Sequence, residues 1–364
     1  MRTDMSWIKN FSLFVISLLS AVLVAELVLS YLKPVTIRND PKWVADGYTR
    51  GHFKPNQKII GTVGHNALSP YPRIETAKYS LNKYGYRGKD WDINYPYNIV
   101  FIGGSSTFNF HDNDDKAWPF VASNCLNEVS STNYQNLNFS HPGYSIFDAP
   151  HLLLQKGAYF KIDWLITYHL WNDIKFIKAF AKNPDFLFNR QPEVSTTSLK
   201  SIILDLGIFP NLLGNMNLVY KRYLKSNQES FYENDIGKEI SREDIESTIA
   251  LIKSNYLALI KLSPPSRNFL FVKQGLLLDK DNDSFDSEIA FHYIGLTKRQ
   301  FLLAQDKYYS MLDEIASGYP NVHVFNADEI IPKDLEMYED HVHLNAKAQS
   351  ILGKSICKHL LKIK

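Results

Sequence analysis

The pattern of apolar and polar positions divides the chain into three stretches. From Phe11 to Leu32 nearly every position is apolar, with only Glu26 and a few serines intervening. From Lys33 to Tyr97 no period is legible, and Pro34, Pro41, Pro55, Pro70, Pro72 and Pro96 punctuate the segment. From Asn98 onward, short β-branched and aromatic runs alternate with helical spacing. Strands are predicted over Asn98–Ile102, Asn136–Phe139, Asp163–His169, Asn268–Lys273 and Asn321–Phe325. Helical spacing covers Trp118–Val129 and Phe147–Phe160. Ser241 with Asp244, and Thr297 with Gln300, read as capping boxes opening helices to about Leu262 and Ser317. Asn345 caps a last helix to about Leu361. Residues from about 174 to 240 break the alternation and read as an insertion. Strands alternating with helices predict an α/β domain, with a central parallel sheet of about five strands and helices on both faces.

The first stretch is ~20 residues long, as a bilayer-crossing helix requires. Arg2 and Lys9 precede it, and Leu23 occupies a position where signal cleavage before the following residues prefers a small side chain. The expectation is an uncleaved signal anchor at 11–32, with 1–10 in the cytoplasm and the rest of the chain outside. Residues 33–97 then form a lead-in that packs on the domain spanning 98–364.

Composition narrows the function classes. The chain has 364 residues, 45% of them hydrophobic, enough for a sizeable core. A net charge of +2 argues against a nucleic-acid partner. The 21 Tyr and 22 Phe suit a packed core better than a sugar-stacking surface. Cys125 and Cys357 match no metal or redox spacing, and two free buried thiols are expected, with a disulfide as the alternative in an exported chain. No metal or cofactor motif is present in the sequence.

Candidate chemistry gathers at the carboxyl ends of the predicted strands, where open α/β sheets bind ligands. Gly103-Gly104-Ser105 follows the first strand, Gly143 the second and Asn172-Asp173 the third. Asp340-His341-Val342-His343 lies between the fifth strand and the last helix. A serine hydroxyl needs a base to become a nucleophile, histidine suits that task, and a carboxylate holds the imidazole in its tautomer. Backbone N–H groups and a side-chain amide can face a developing oxyanion. His341 is a rival base two residues from His343. Ser106 and Thr107 read as caps of the helix after the turn, and Asn172 could also be a cap. Asp173 reads as fixing its loop, His141 and His169 as structural, and Trp171 as either core or sugar platform.

These residues resemble the blocks of the SGNH, or GDSL-like, hydrolases. That family has a Gly-Asp-Ser block, a glycine block, a Gly-x-Asn-Asp block and an Asp-x-x-His block, and this chain offers counterparts in the same order. Asn82 to Gly88 is similar to the Asn-x-x-Gly-aromatic-Arg-Gly lead-in of membrane-anchored bacterial members. Gly104 stands in place of the common Asp, and Leu170 in place of the third-block glycine. The resemblance implies a flavodoxin-like three-layer sandwich. It implies Ser105 as nucleophile, His343 as base and Asp340 as its partner, with Ser105, Gly143 and Asn172 forming the oxyanion hole. It also implies a membrane-anchored extracytoplasmic serine esterase that needs no cofactor. The expected partner is an acylated glycan carrying small O-acyl groups such as acetyl. An O-acyltransferase and an inert glycan-binding subunit are the alternatives.

Overall fold

The computed structural model describes residues 5–32, 43–44, 51–62, 76–182, 240–289 and 291–363. The chain divides into two compact units, one containing the N-terminal helix and the other the sheet. In the first unit, α1 (Met5–Leu32) is a single helix of 28 residues. Its apolar part, Lys9–Leu29, would measure ~30 Å at ~1.5 Å per residue, the thickness of a bilayer core. Phe11, Phe14, Leu18 and Leu27 are exposed along it. Among the described residues it is the one helix long and apolar enough to cross a membrane.

The second unit opens with two small antiparallel ribbons. β1 (Trp43–Val44) pairs with β2 (His52–Phe53), and β3 (Gln57–Thr62) with β4 (Thr76–Leu81). The expectation of irregular chain before Tyr97 is corrected here. Strands of two to six residues are too short, between prolines and glycines, for a period of two to stand out.

The main sheet comprises β5 (Asn98–Gly103), β6 (Gln135–Asn138), β7 (Ile162–His169), β8 (Asn268–Lys273) and β9 (Val322–Asn326). All neighbours run parallel, in the order β6-β5-β7-β8-β9. Every residue of β5 is buried, which explains its unbroken apolar run: a parallel strand is covered on both faces. The order reverses between β5 and β7, so the crevice at their carboxyl ends is the topological switch point of the sheet.

Among the described residues the helices of this unit are α2 (Ser105–Phe108), α3 (Trp118–Val129), α4 (Ala149–Gln155), α5 (Trp171–Ile174), α6 (Phe176–Lys182), α7 (Arg242–Lys261), α8 (Phe291–Ile294), α9 (Lys298–Gly318), α10 (Ala327–Ile330) and α11 (Ala346–Lys362). α3 packs on α11, while α7 packs on α4, α6 and α9, giving a layered α/β domain. Both capping boxes form, and Asn345 accepts from the N–H groups of Lys347 and Ala348.

Three expectations are corrected. The helix expected over Phe147–Phe160 stops at Gln155, and a 3₁₀ turn at Gly157–Tyr159 follows. The break in the alternation does not mean irregular chain from 174, because α5 and α6 continue to Lys182 and Ile174, Phe176, Ile177 and Phe180 are buried in the main core. The remainder of that segment, 183–239, lies outside the described residues. Finally, Cys125 and Cys357 are not free thiols but form a disulfide, with Cα atoms 6.1 Å apart. The cause is the close approach of α3 and α11. A Cβ added at Gly353 would lie 2.6 Å from Val121 Cβ and 2.8 Å from the Trp118 carbonyl oxygen.

Candidate active site

Ser105 is the first residue of α2, directly beyond β5. The turn needs glycines for space. A Cβ at Gly103 would fall 2.0 Å from Thr107 Oγ1 and 2.9 Å from the Tyr168 carbonyl oxygen. The N-cap is Gly104, without a side-chain bond, so Ser106 and Thr107 do not cap this helix. Both side chains are buried instead, and Ser106 Oγ donates to the Val342 carbonyl oxygen at 3.1 Å. Extended backbone at Gly104 puts the helix start two residues earlier than a Ser106 cap would need.

His343 and Asp340 reach Ser105 from a loop 238 residues away. His343 Nε2 lies 2.7 Å from Ser105 Oγ, and its Nδ1 lies 2.6 Å from Asp340 Oδ2. Since the carboxylate can only accept, Nδ1 carries the proton and Nε2 is left to accept from the serine. The other carboxylate oxygen, Oδ1, accepts the N–H groups of Val342 at 2.8 Å and His343 at 2.9 Å. Burial pushes the Asp340 carboxyl up, but the charge and hydrogen bond of His343 outweigh it, aided by His341 and the Val342 N–H. The result lies well below the usual carboxylate range. His341 is elsewhere: its ring packs edge-on against Trp171, centroids 4.5 Å apart.

Gly143 has φ +83°, in a turn from His141 to Tyr144 with Pro142 before it, the pattern of a type II turn. The His141 N–H donates to the Gly103 carbonyl oxygen at 3.1 Å, which ties this turn to the end of β5. On its other side, Asn172 Nδ2 donates to the Tyr144 carbonyl oxygen at 2.9 Å. Leu170, not Asn172, is the N-cap of α5, and Asn172 does not cap it. The Asn172 amide packs over Gly104, where a Cβ would come within 2.4 Å of Nδ2. That is the physical reason a glycine stands at 104. Leu170 is fully buried and, with Ser106, Trp171, Asn172, Gln274 and Val342, lines a cavity of about 10 Å³ beside Ser105.

The neighbouring residues have structural settings. Trp171 is 6% exposed and packs on Phe301 and His341, so it belongs to the core and offers no sugar platform. His141 is buried against Phe53, Tyr144 and Phe108. Burial alone pushes the His169 imidazole down to about 3. Asp173 is buried and accepts from the Ile146 N–H at 2.8 Å and the Tyr308 hydroxyl at 2.7 Å.

Two residues at this edge have roles that the sequence reading does not supply. Arg87 of the lead-in is fully buried. It ion-pairs with Asp114 at 2.9 Å and donates to the carbonyl oxygens of Phe108 at 2.7 Å and Asp112 at 2.6 Å. It thereby holds the chain leaving α2. Gly85 and Gly88, both with positive φ, make the turn that buries it. The other is Gln274, which follows β8; its only sequence signal is a polar residue before a glycine at a strand end.

No family model matches this sequence, and no curated protein matches it. Solved structures do match. One is a lipolytic protein of the G-D-S-L family from Veillonella parvula, at 12% identity and TM-score 0.40, covering 73% of this chain and 99% of that one. Another is an acetyl-xylooligosaccharide esterase from Geobacillus, at 12% identity and TM-score 0.40, covering 73% and 93%. A third is a psychrotrophic esterase from Pseudoalteromonas, at 12% identity and TM-score 0.40, covering 73% and 97%. Likeness of this size carries no argument about chemistry, and the parallel five-stranded α/β architecture described above stands on its own strand pairing.

Proposed function

We propose that this protein is a serine esterase of the SGNH type, acting through an acyl-serine intermediate on small O-acyl groups. The observation that carries the reading is the chain of contacts from Ser105 Oγ to His343 Nε2 at 2.7 Å and from His343 Nδ1 to Asp340 Oδ2 at 2.6 Å. In this mechanism Ser105 Oγ bonds to the ester carbonyl carbon while its proton passes to His343 Nε2. Asp340 stabilises the imidazolium. The carbonyl oxygen, now negative, accepts from the N–H groups of Ser105 and Gly143 and from the second amide hydrogen of Asn172. The first amide hydrogen, bound to Tyr144, fixes the direction of the second. Collapse breaks the ester C–O bond, and His343 gives its proton to the departing alcohol. Water then attacks the acyl-serine by the same route and returns the proton to Ser105.

The acyl group is proposed to be short, acetyl first among them: the cavity of about 10 Å³ beside Ser105 is no larger than a single water site and leaves no room for a long chain. The site is proposed to work outside the cytoplasm, tethered by α1. Two features support this: the apolar helix at the N-terminus and the disulfide, which persists in oxidising compartments. An O-acetylated cell-surface glycan is the substrate class that suits such a place.

The test uses a fluorophosphonate probe and an acetate-release assay on acetylated glycans, with wild type and Ser105→Ala. Labelling and acetate release by the wild type alone are expected. A folded wild type that neither labels nor releases acetate would sink the esterase reading. Adding a glycan acceptor to the same assay separates hydrolysis from transfer.

A further inference from the structure

Ser105 and Ser106 are adjacent, yet they serve opposite sides of the turn. Ser105 meets His343, whereas Ser106 is buried and reaches inward. Ser106 Oγ donates to the Val342 carbonyl oxygen at 3.1 Å and accepts from Gln274 Nε2 at 3.1 Å. Gln274 Oε1 in turn accepts the backbone N–H of Trp171 at 3.1 Å. Gln274 is 3% exposed, and its own carbonyl oxygen accepts from the Tyr309 hydroxyl at 2.5 Å.

The direction of every bond follows from chemistry. The Trp171 N–H can only donate, so Oε1 must face it and Nε2 must face Ser106. The Ser106 hydroxyl then accepts from Nε2 and can give its own hydrogen only to Val342. Each end of this chain is one residue from chemistry. Ser106 follows Ser105, Trp171 precedes Asn172, and Val342 precedes His343. Three loops that lie far apart in sequence are therefore held in register by one amide and one hydroxyl, in a buried setting where such bonds are strongest.

We propose that Gln274 is a positioning residue. Through Ser106, Trp171 and Val342 it fixes the nucleophile turn, the oxyanion-donor loop and the base loop relative to one another. The proposal rests on the esterase reading. A misplacement of ~1 Å costs on the order of 10²-fold in such sites, which sets the scale of the expected effect.

The test compares wild type, Gln274→Met, Gln274→Glu, Ser106→Ala and the Gln274→Met/Ser106→Ala double variant. Methionine keeps the length and removes both bonds. Glutamate keeps an acceptor for Trp171 and, where ionised, has no hydrogen to donate to Ser106, so it is assayed at high pH. Active sites are titrated with a fluorophosphonate, and kcat, KM and Tm are measured with p-nitrophenyl acetate. Gln274→Met is expected to lose ~10- to 100-fold in kcat per titrated site, with KM within ~3-fold and labelling slowed in parallel. Gln274→Glu and Ser106→Ala should show the same split between kcat and KM. The double variant should be no worse than the poorer single one, because all act on one network.

A lower Tm with unchanged kcat per titrated site would overturn the proposal, as would fully additive losses. Should Gln274→Met not fold, Ser106→Ala and Gln274→Glu decide the matter by the same split. If the folded wild type fails to label, the esterase reading falls and the positioning role falls with it. If the wild type labels and the variants match it, only the role of Gln274 is refuted.

Discussion

Two histidine–aspartate pairs lie near the carboxyl edge of this sheet, and their differences show what makes such a pair useful. His343 and Asp340 are three residues apart on one loop, in contact at 2.6 Å, with side chains 14% and 39% exposed. His169 and Asp173 are four residues apart, 4.0 Å from each other, and fully enclosed. Asp340 is held ionised by its partner and by backbone N–H groups. Asp173 goes the other way: burial pushes its carboxyl up to about 7, and the bonds from Tyr308 and Ile146 restore only part of the loss. His169, pushed down to about 3, has no capacity to take a proton near neutrality. Residue types and spacing are nearly the same in the two pairs. The difference is that the first has a fixed carboxylate behind the ring and a serine in front of it, while the second has neither solvent nor an aligned partner.

The comparison can be broken most sharply at the histidines. His343→Ala should lower kcat by on the order of 10⁶-fold, as loss of the base does in serine hydrolases, measured as acetate release per folded protein. An equally large loss from His169→Leu, with His343 intact, would show that the pairs have been assigned the wrong way round. Asp340→Asn keeps the shape of the loop but favours the wrong tautomer, and ~10⁴-fold in kcat is the expected cost. A loss below ~10-fold would mean the carboxylate does not orient His343.

A smaller effect is expected at Gly104. Gly104→Ala should displace the Asn172 amide and cost ~10²-fold in kcat, the scale of one oxyanion donor. In an Asn172→Ala background the same change should cost little more. Additivity in that double-mutant cycle would refute the coupling.

The smallest effect concerns stability. From about pH 4 to about pH 7 the folded wild type keeps a proton on Asp173 that the unfolded chain has released. Wild-type stability therefore falls across that window through this group and levels off above it. Asp173→Asn has no proton to lose, so it should gain on the wild type as pH rises from about 4 to about 7. Urea midpoints of the two proteins check this. A difference independent of pH would show that the buried carboxyl does not titrate there.

Much of the architecture is legible in the residues themselves. Asn98 to Gly103 reads as a buried strand because a parallel strand covered on both faces has no polar side. The helices starting after Ser241, Thr297 and Asn345 announce themselves through caps, whose chemistry is complete within four residues. Trp118–Val129 is bounded as its spacing predicts. The ribbons before Tyr97 are missed because their strands are too short to show a period. The stop at Gln155 is missed because Gly157 alone is a weak signal in an apolar helical pattern.

At the candidate site, Ser105, His343, Asp340 and Asn172 can be picked out by residue type and order. The structure brings the first three within hydrogen-bond reach and sets the fourth over Gly104. Gln274 is silent in the sequence, and Arg87 shows there only as part of the lead-in motif, since a glutamine after a strand or an arginine in a turn acquires its role only from what surrounds it.

By itself, then, the sequence determined what local chemistry can encode: which segments are strands or helices, where helices begin, and which side chains could react. Only the tertiary structure decided the strand order that puts β5 beside β7, the placing of the His343 ring against Ser105, and the bonding of Cys125 to Cys357. Those outcomes depend on contacts between residues 232 or 238 positions apart. No local pattern specifies such contacts. They follow from the way helices and strands pack around one core, and the exposure of each polar group follows in turn from that packing.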